Sequence, residues 1–112
     1  MKSDDLAEHA AEAEAFLKAF GNQSRLAILC NLQQGERSVS EIGSVLGLHQ
    51  ATLSQHLARL RGDRLVKTRR DAQTIYYSLA DPRAERMIGL LHEMFCSPDC
   101  ASEAAPKRRR VK

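Results

Sequence analysis

A pair of short helices separated by a tight turn is the sequence feature that most restricts how this chain folds. Ser38 and Glu41 have the spacing of a capping box, in which each side chain accepts a hydrogen bond from the backbone amide of the other residue. The helix that starts here is predicted to end at Gly47, and the next helix begins near His49 or Gln50. One side of that next helix carries three leucines, Leu53, Leu57 and Leu60. Two helices joined by so short a turn are typical of a helix-turn-helix.

The stretch that follows Gly62 predicts a β-hairpin. Residues Leu65–Arg70 and Thr74–Leu79 have the character of strands. In the second strand apolar and polar side chains alternate, so one face of it is expected to be buried. The segment Asp71–Gln73 between them is short enough for a hairpin connection. A hairpin directly after a helix-turn-helix forms the wing of a winged helix.

Helices with apolar stripes flank this unit on both sides. The first is predicted over Asp5–Phe20, and a second, capped by Asn22, over Gln23 to about Gln33. Asp81 followed by proline predicts the start of the last helix, which ends near Cys96. The stripes consist of Leu6, Ala10, Ala13, Leu17 and Phe20 in the first helix and of Ala84, Met87, Ile88, Leu91, Met94 and Phe95 in the last. The predicted fold is mainly α with a β-hairpin wing, a winged helix-turn-helix in the order ααααββα.

Composition limits the chain to one folded domain and excludes several classes of protein. A chain of 112 residues, 43% of them apolar, has room for a single core. Residues 1–100 are predicted to form the winged-helix domain and residues 101–112 a disordered basic tail, because the latter show no periodicity. No apolar run is long enough to cross a bilayer, and the acidic N-terminal segment differs from a secretory signal. A cytoplasmic protein without a membrane partner is therefore expected, and its three cysteines argue against a framework of structural disulfides.

Polar side chains on the second helix of the helix-turn-helix favour DNA recognition. With the leucines turned inward, amide and hydroxyl groups near the start of this helix can hydrogen-bond to base edges: Gln50, Thr52, Ser54 and Gln55. Basic residues follow as candidates for phosphate contacts: Arg59, Arg61, Arg64, Lys67, Arg69 and Arg70. A polar helix face can also be simply solvated. Because the turn, the short polar side chains and the basic hairpin stand in consecutive segments, we expect binding to double-stranded DNA.

Two segments of the chain, LKAFGNQSRLAIL and SVSEIGSVLGLHQATLSQHLARLRGDRLVKTRRDAQTIYYSL, resemble the ArsR/SmtB family of bacterial repressors. The resemblance covers roughly residues 15–96. It implies a homodimer, joined through the first and last helices, that binds an inverted-repeat operator and leaves it when an inducer binds. One departure is His49, which stands where many members have serine or threonine. Imidazole is a weaker helix cap than a hydroxyl.

The metal sites known in this family are missing from the sequence. The helix VSEIGSVL lacks the cysteine pair of the arsenic- or cadmium-sensing members. Arg83 stands where zinc-sensing members have a histidine, and Met94 occupies another ligand position. A guanidinium cannot ligate zinc and would repel it. We therefore expect no metal and no other cofactor, with His9 and His92 at the surface or at an interface.

Two cysteines resemble the sensing pair of the sulfide-responsive BigR/SqrR subgroup of the family. Cys30 lies within the second predicted helix and Cys96 at the end of the last one. The resemblance implies that reactive sulfur species, acting as inducer, link them through a disulfide or a bridge with extra sulfur atoms. The partial negative charge of a helix C-terminus would raise the pKa of Cys96, and protonated His92, one turn earlier, would offset this. His92 is therefore a candidate accessory residue of the sensing pair, and Cys100, the third cysteine, is another.

Alternative interpretations remain open at this point. The three thiols, Cys30, Cys96 and Cys100, could instead bind arsenite or another soft ion. Cys30 could be a small buried apolar residue without a redox role. A thiol enzyme would need a thiolate stabilised by a helix N-terminus or adjacent cations, which the sequence does not provide, so we expect no enzyme. An architectural DNA-binding protein would need no ligand.

Overall fold

The computed structural model describes residues 3–96, and the predicted basic tail of residues 101–112 and Cys100 lie outside them. Six helices and three strands follow one another in this range. Their bounds are α1 Ser3–Glu8, α2 Ala10–Phe20, α3 Gln23–Gln33, β1 Arg37–Ser38, α4 Val39–Leu46, α5 Gln50–Gly62, β2 Val66–Asp71, β3 Thr74–Leu79 and α6 Pro82–Phe95. The predicted order of helices and wing is confirmed, with two additions: a break in the first helix and a short extra strand.

The helix-turn-helix forms through the local interactions that the sequence predicts. The Ser38 hydroxyl accepts from the Glu41 amide at 3.1 Å, and the Ser38 amide donates to the Glu41 carboxylate at 2.8 Å. Gly47 ends α4 in the left-handed conformation, with φ +66°, which glycine adopts without steric cost. At the start of α5, His49 makes no side-chain capping bond, as its imidazole led us to expect. The capping box and the glycine therefore fix the angle at which α5 leaves the turn.

The wing is part of a three-stranded antiparallel sheet in the order β1-β3-β2. Strand β1 was not predicted, because two residues carry no periodic signal and exist as a strand only by pairing with β3. The prediction of a single buried face of β3 is wrong, since Tyr76 and Ser78 on the other face are also partly covered. Ser38 of β1 lies opposite Tyr76 in the sheet, and Arg69 of β2 lies opposite it on the other side. Both edges of β3 are therefore paired.

The predicted single helix over residues 5–20 is divided at His9. The carbonyl of Leu6 accepts from the His9 amide at 3.0 Å, and the carbonyl of His9 accepts from the Ala13 amide at 2.9 Å, so the chain turns without losing its hydrogen bonds. No contact of His9 explains why the break occurs there. Ala19 and Phe20 at the end of α2 are buried in the core, and Phe16 packs against it while partly exposed. Much of the apolar stripe of α1 and α2 is therefore left exposed.

The core lies around α3, which packs against α2, α4, α5, α6 and β3. Its buried apolar members are Ala19, Phe20, Ile28, Leu29, Leu32, Ile42, Leu53, Leu57, Leu60, Leu65, Val66, Ala84 and Ile88. Arg25 of α3 also donates to the carbonyls of Ala19 and Lys18, both at 3.0 Å. A cation is favourable at the C-terminus of a helix, so Arg25 secures the end of α2 to α3. Within residues 3–96, no helix combines the length and apolar character needed to span a membrane.

Candidate nucleic-acid interface and thiol pair

The first turns of α5 present short polar side chains to solvent. Four predicted base-reading residues are all exposed: Gln50, Thr52, Ser54 and Gln55. The three leucines on the opposite side are buried at 2% exposure or less, so they anchor α5 to the core. A helix held in this way can enter the DNA major groove with its amides and hydroxyls facing the bases.

A groove of about 770 Å³ separates α5 from the wing. Its walls carry hydroxyl, amide and guanidinium groups from α4, α5 and β3, among them Ser40, Ser54, Arg61, Gln73 and Thr74. These groups can donate hydrogen bonds to phosphate oxygens without reading sequence. The groove therefore continues the polar face of α5 towards the wing.

The basic residues predicted to contact phosphate differ in whether their side chains already bind a carboxylate of the protein. Arg59 donates to Asp63, four residues later, at 3.1 Å. The side chains of Arg70 and Lys67 form no hydrogen bond or ion pair with any residue in the range 3–96. The Lys67 charge does help to lower the pKa of Glu36, after the larger effect of Arg69. Lys67 and Arg70 thus present cations of the wing to solvent.

Arg69 is held by a carboxylate that sequence reasoning missed. Its Nε and Nη2 atoms donate to the two carboxylate oxygens of Glu36 at 3.0 and 2.9 Å. Its guanidinium also lies 4.7 Å from the centre of the Tyr76 ring. Glu36 and Arg69 are far apart in sequence and follow no local pattern, so only the sheet register could have paired them.

The two predicted sensing cysteines lie on packed helices. Cys30 is partly buried on α3 against the core, Cys96 is exposed at the end of α6, and both are free thiols. Burial raises the pKa of the Cys30 thiol above its ordinary value, and the negative charge of Cys96 raises it further. Helices α3 and α6 pack against each other, so the two thiols belong to neighbouring parts of the fold. His92 is exposed, and its carbonyl accepts from the Cys96 amide at 2.7 Å.

Arg83 fills the place where the resemblance would put a zinc-ligating histidine. Its guanidinium donates to the Asp81 carboxylate at 2.9 Å and lies 3.5 Å from Glu12 and 5.3 Å from the centre of the Phe16 ring. This hydrogen bond holds the pKa of Asp81 below its usual value. In the part of the chain that the structure describes, no group of three or more histidine, cysteine or carboxylate side chains could hold a metal ion.

The outer helices leave a large apolar surface uncovered. Five of its side chains are between 49% and 66% exposed: Leu6 and Leu17 of α1 and α2, and Leu90, Met94 and Phe95 of α6. Several large exposed apolar side chains on the same outer helices favour a protein contact there. These are the helices through which the sequence resemblance implies dimerisation.

The helix-turn-helix, the paired wing and the polar face of α5 define a winged-helix DNA-binding protein. Residues 22–68 match the family described as "Bacterial regulatory protein, arsR family". The transcriptional activator HlyU of Vibrio cholerae is 47% identical over 96 residues, which cover 86% of this chain and 89% of HlyU. The chain therefore belongs to the ArsR family and is a DNA-binding transcriptional regulator, not an enzyme.

Solved structures show the same architecture. Reduced HlyU has a TM-score of 0.79 at 48% identity, covering 82% of this chain and 97% of HlyU. The transcriptional repressor BigR from Xylella fastidiosa has a TM-score of 0.82 at 36% identity, with 86% and 98% covered. A homodimeric winged helix-turn-helix DNA-binding domain from Mycobacterium bovis has a TM-score of 0.71 at 30% identity, with 99% and 97% covered. The predicted winged-helix fold is confirmed by these similarities.

Proposed function

We propose that this chain is a homodimeric repressor whose release from operator DNA is controlled by the sulfur chemistry of Cys30 and Cys96. The observation that carries the proposal is the packing of α3 against α6, with Cys30 partly buried on α3 and Cys96 exposed directly after the last residue of α6. The two residues are far apart in sequence, and the contribution of Cys96 to the raised pKa of Cys30 supports their proximity in the fold. The inducer would be a persulfide or a related reactive sulfur species, and the regulated genes would serve sulfide detoxification.

The exposure of the two thiols suggests the order of events. Cys96 is open to solvent, so its thiolate attacks the sulfane sulfur of a persulfide RSSH, forming Cys96–S–SH and releasing RS⁻. The Cys30 thiolate then attacks Sγ of Cys96, which closes the disulfide and releases HS⁻. The two thiols are oxidised and the sulfane sulfur is reduced. If both cysteines carry a persulfide, their condensation gives a trisulfide bridge and H₂S.

A cross-link between α3 and α6 would act on DNA through the dimer. Helix α6 carries part of the uncovered apolar surface, which we assign to the partner protomer. The two α5 helices of a dimer must match half-sites about 34–36 Å apart, so a small movement of α6 disturbs both contacts together. A tenfold loss of affinity requires only about 1.4 kcal/mol.

The relatives support parts of this proposal. BigR is named a transcriptional repressor, HlyU is named an activator and has been solved in a reduced form, and the Mycobacterium bovis domain is a homodimer. Repression, a reduced form and dimerisation are each found by name in a protein of the same fold. A reporter gene under the operator determines the direction of regulation for this chain.

The proposal is tested by operator binding with and without a persulfide donor, on DNA selected from a random pool by the reduced protein. Wild-type protein and Cys100→Ser are expected to lose at least tenfold in affinity after treatment, and Cys30→Ser and Cys96→Ser to retain theirs. If the serine variants release DNA as the wild type does, the dithiol has no sensing role. If arsenite rather than persulfide releases the DNA and Cys100→Ser prevents it, the thiols form a soft-ion site instead.

A further inference from the structure

All three guanidinium nitrogens of Arg69 lie close to carboxylate oxygens of the same protomer. Nε and Nη2 bond the two oxygens of Glu36 at 3.0 and 2.9 Å, and Nη1 lies 3.9 Å from Asp71. Each guanidinium nitrogen therefore has a carboxylate oxygen within 4 Å, and one ring face of Tyr76 lies against the group. The bidentate geometry and the ring together leave little freedom to the side chain.

The Glu36–Arg69 pair connects the β1 side of the sheet to β2, and these two strands do not pair with each other. Strands β1 and β2 lie on opposite sides of β3, and Glu36 directly precedes β1. Arg69 and Ser38 both lie opposite Tyr76 in the register. Because Ser38 also caps α4, the Glu36–Arg69 pair links the outer strand of the wing to the first helix of the helix-turn-helix.

The local charge argues against a phosphate contact by Arg69. The Arg69 guanidinium lies within 4 Å of two carboxylates, Glu36 and Asp71, so its own charge is already offset within the protomer. The side chains of Lys67 and Arg70, in contrast, form no ion pair with any of the residues that the structure describes. The cations that meet the phosphate backbone are therefore better supplied by these two residues.

We propose that Arg69 is a positioning residue, which holds the wing at the angle that DNA binding requires through Glu36 and Tyr76, and that it is not a phosphate contact. The proposal rests on the proposed binding of operator DNA. It makes Glu36, an acidic residue near the DNA-binding surface, a contributor to affinity. In the alternative, Arg69 would contact a DNA phosphate if Glu36 did not bind it, and Glu36 would then lower the affinity for DNA.

The sign of the effect of Glu36→Gln separates the two roles. Removing a negative charge near DNA strengthens binding by electrostatics alone, whereas loss of the wing's position weakens it. We expect Glu36→Gln and Arg69→Gln each to lower operator affinity by about three- to tenfold, and the double variant to lose no more than either single variant, because both remove one interaction. Arg69→Lys is expected to behave like Arg69→Gln, because lysine keeps the charge but cannot form the two parallel bonds.

The measurement is fluorescence anisotropy of full-length protein on labelled operator over a range of salt concentrations. The slope of log affinity against log salt counts phosphate contacts, so Lys67→Gln, the matched control, should reduce it by about 1, and Arg69→Gln should leave it unchanged. Tighter binding by Glu36→Gln, near wild-type affinity of Arg69→Lys, or a reduced slope for Arg69→Gln would each overturn the proposal. Absence of sequence-selective binding by the wild type would instead overturn the proposed function.

Discussion

At the scale of single residues, the reactivity of Cys30 depends on two kinds of neighbour. Apolar residues of the core remove its thiol from water, which disfavours the thiolate, and the Cys96 charge disfavours it further. Both effects raise the pKa, so Cys30 carries less thiolate than a free cysteine at neutral pH. The raised pKa disfavours Cys30 as the first nucleophile, and the exposure of Cys96 is why we assign the first attack on a persulfide to Cys96.

Replacement of Cys96 should therefore change the titration of Cys30. In Cys96→Ser the contribution of the neighbouring charge is lost, so the pKa of Cys30 falls towards its ordinary value but stays above it, because burial is the larger cause. Alkylation of Cys30 by iodoacetamide, followed against pH by mass spectrometry, gives this pKa in the wild type and the variant. Cys100→Ser is the control. Identical pH profiles in the wild type and Cys96→Ser would show that the two thiols are not neighbours.

At the scale of secondary-structure elements, local signals made the helix-turn-helix predictable. The capping box at Ser38, the glycine at position 47 and the leucine spacing of α5 act within a few residues of one another, so the sequence displays them directly. Strand β1 and the Glu36–Arg69 pair depend on which strands meet, and no local pattern records this. The proximity of Cys30 and Cys96 was likewise expected only from the family resemblance.

The loop that connects the two strands of the wing contains a strained alanine, and its effect on the free energy of unfolding can be measured. The two-residue loop between β2 and β3 places Ala72 at φ +59°, a conformation that favours glycine at the first loop position of this hairpin type. Ala72→Gly should raise the free energy of unfolding by about 0.5–1 kcal/mol, because relief of strain exceeds the added entropy of the unfolded chain.

The matched control for this loop variant is Ala58→Gly, at an exposed position in the middle of α5. There the same substitution should lower the free energy of unfolding by about 1 kcal/mol, since glycine weakens a helix interior. Urea denaturation of both variants measures the two effects. Destabilisation by Ala72→Gly would mean that the alanine is not strained in the hairpin.

At the scale of the whole molecule, the proposed homodimer would cover the exposed apolar side chains on α1, α2 and α6. The similar fold of the Mycobacterium bovis domain is a homodimer. Met94→Glu, at a side chain that is 56% exposed in the protomer, should place a charge in the interface and shift the protein to monomer.

Val45→Glu supplies the control for the dimer, because Val45 is 64% exposed but lies on α4, away from the outer helices. This variant should stay dimeric. Sedimentation velocity distinguishes monomer from dimer for both proteins. If Met94→Glu sediments as the wild type does, the dimer forms through another surface, and the proposed route from α6 to the DNA-binding helices fails.

The most direct test of the central claim is a single titration in which cross-linking and DNA release are followed in the same samples. Reduced protein on its operator is treated with increasing persulfide donor, and each sample is divided between peptide mapping and a binding measurement. The sulfur switch predicts that peptides containing Cys30 and Cys96 become joined and that the joined fraction rises in proportion to the fraction of released DNA. Full release of DNA while those peptides remain separate, or complete joining while the protein stays bound, would contradict it.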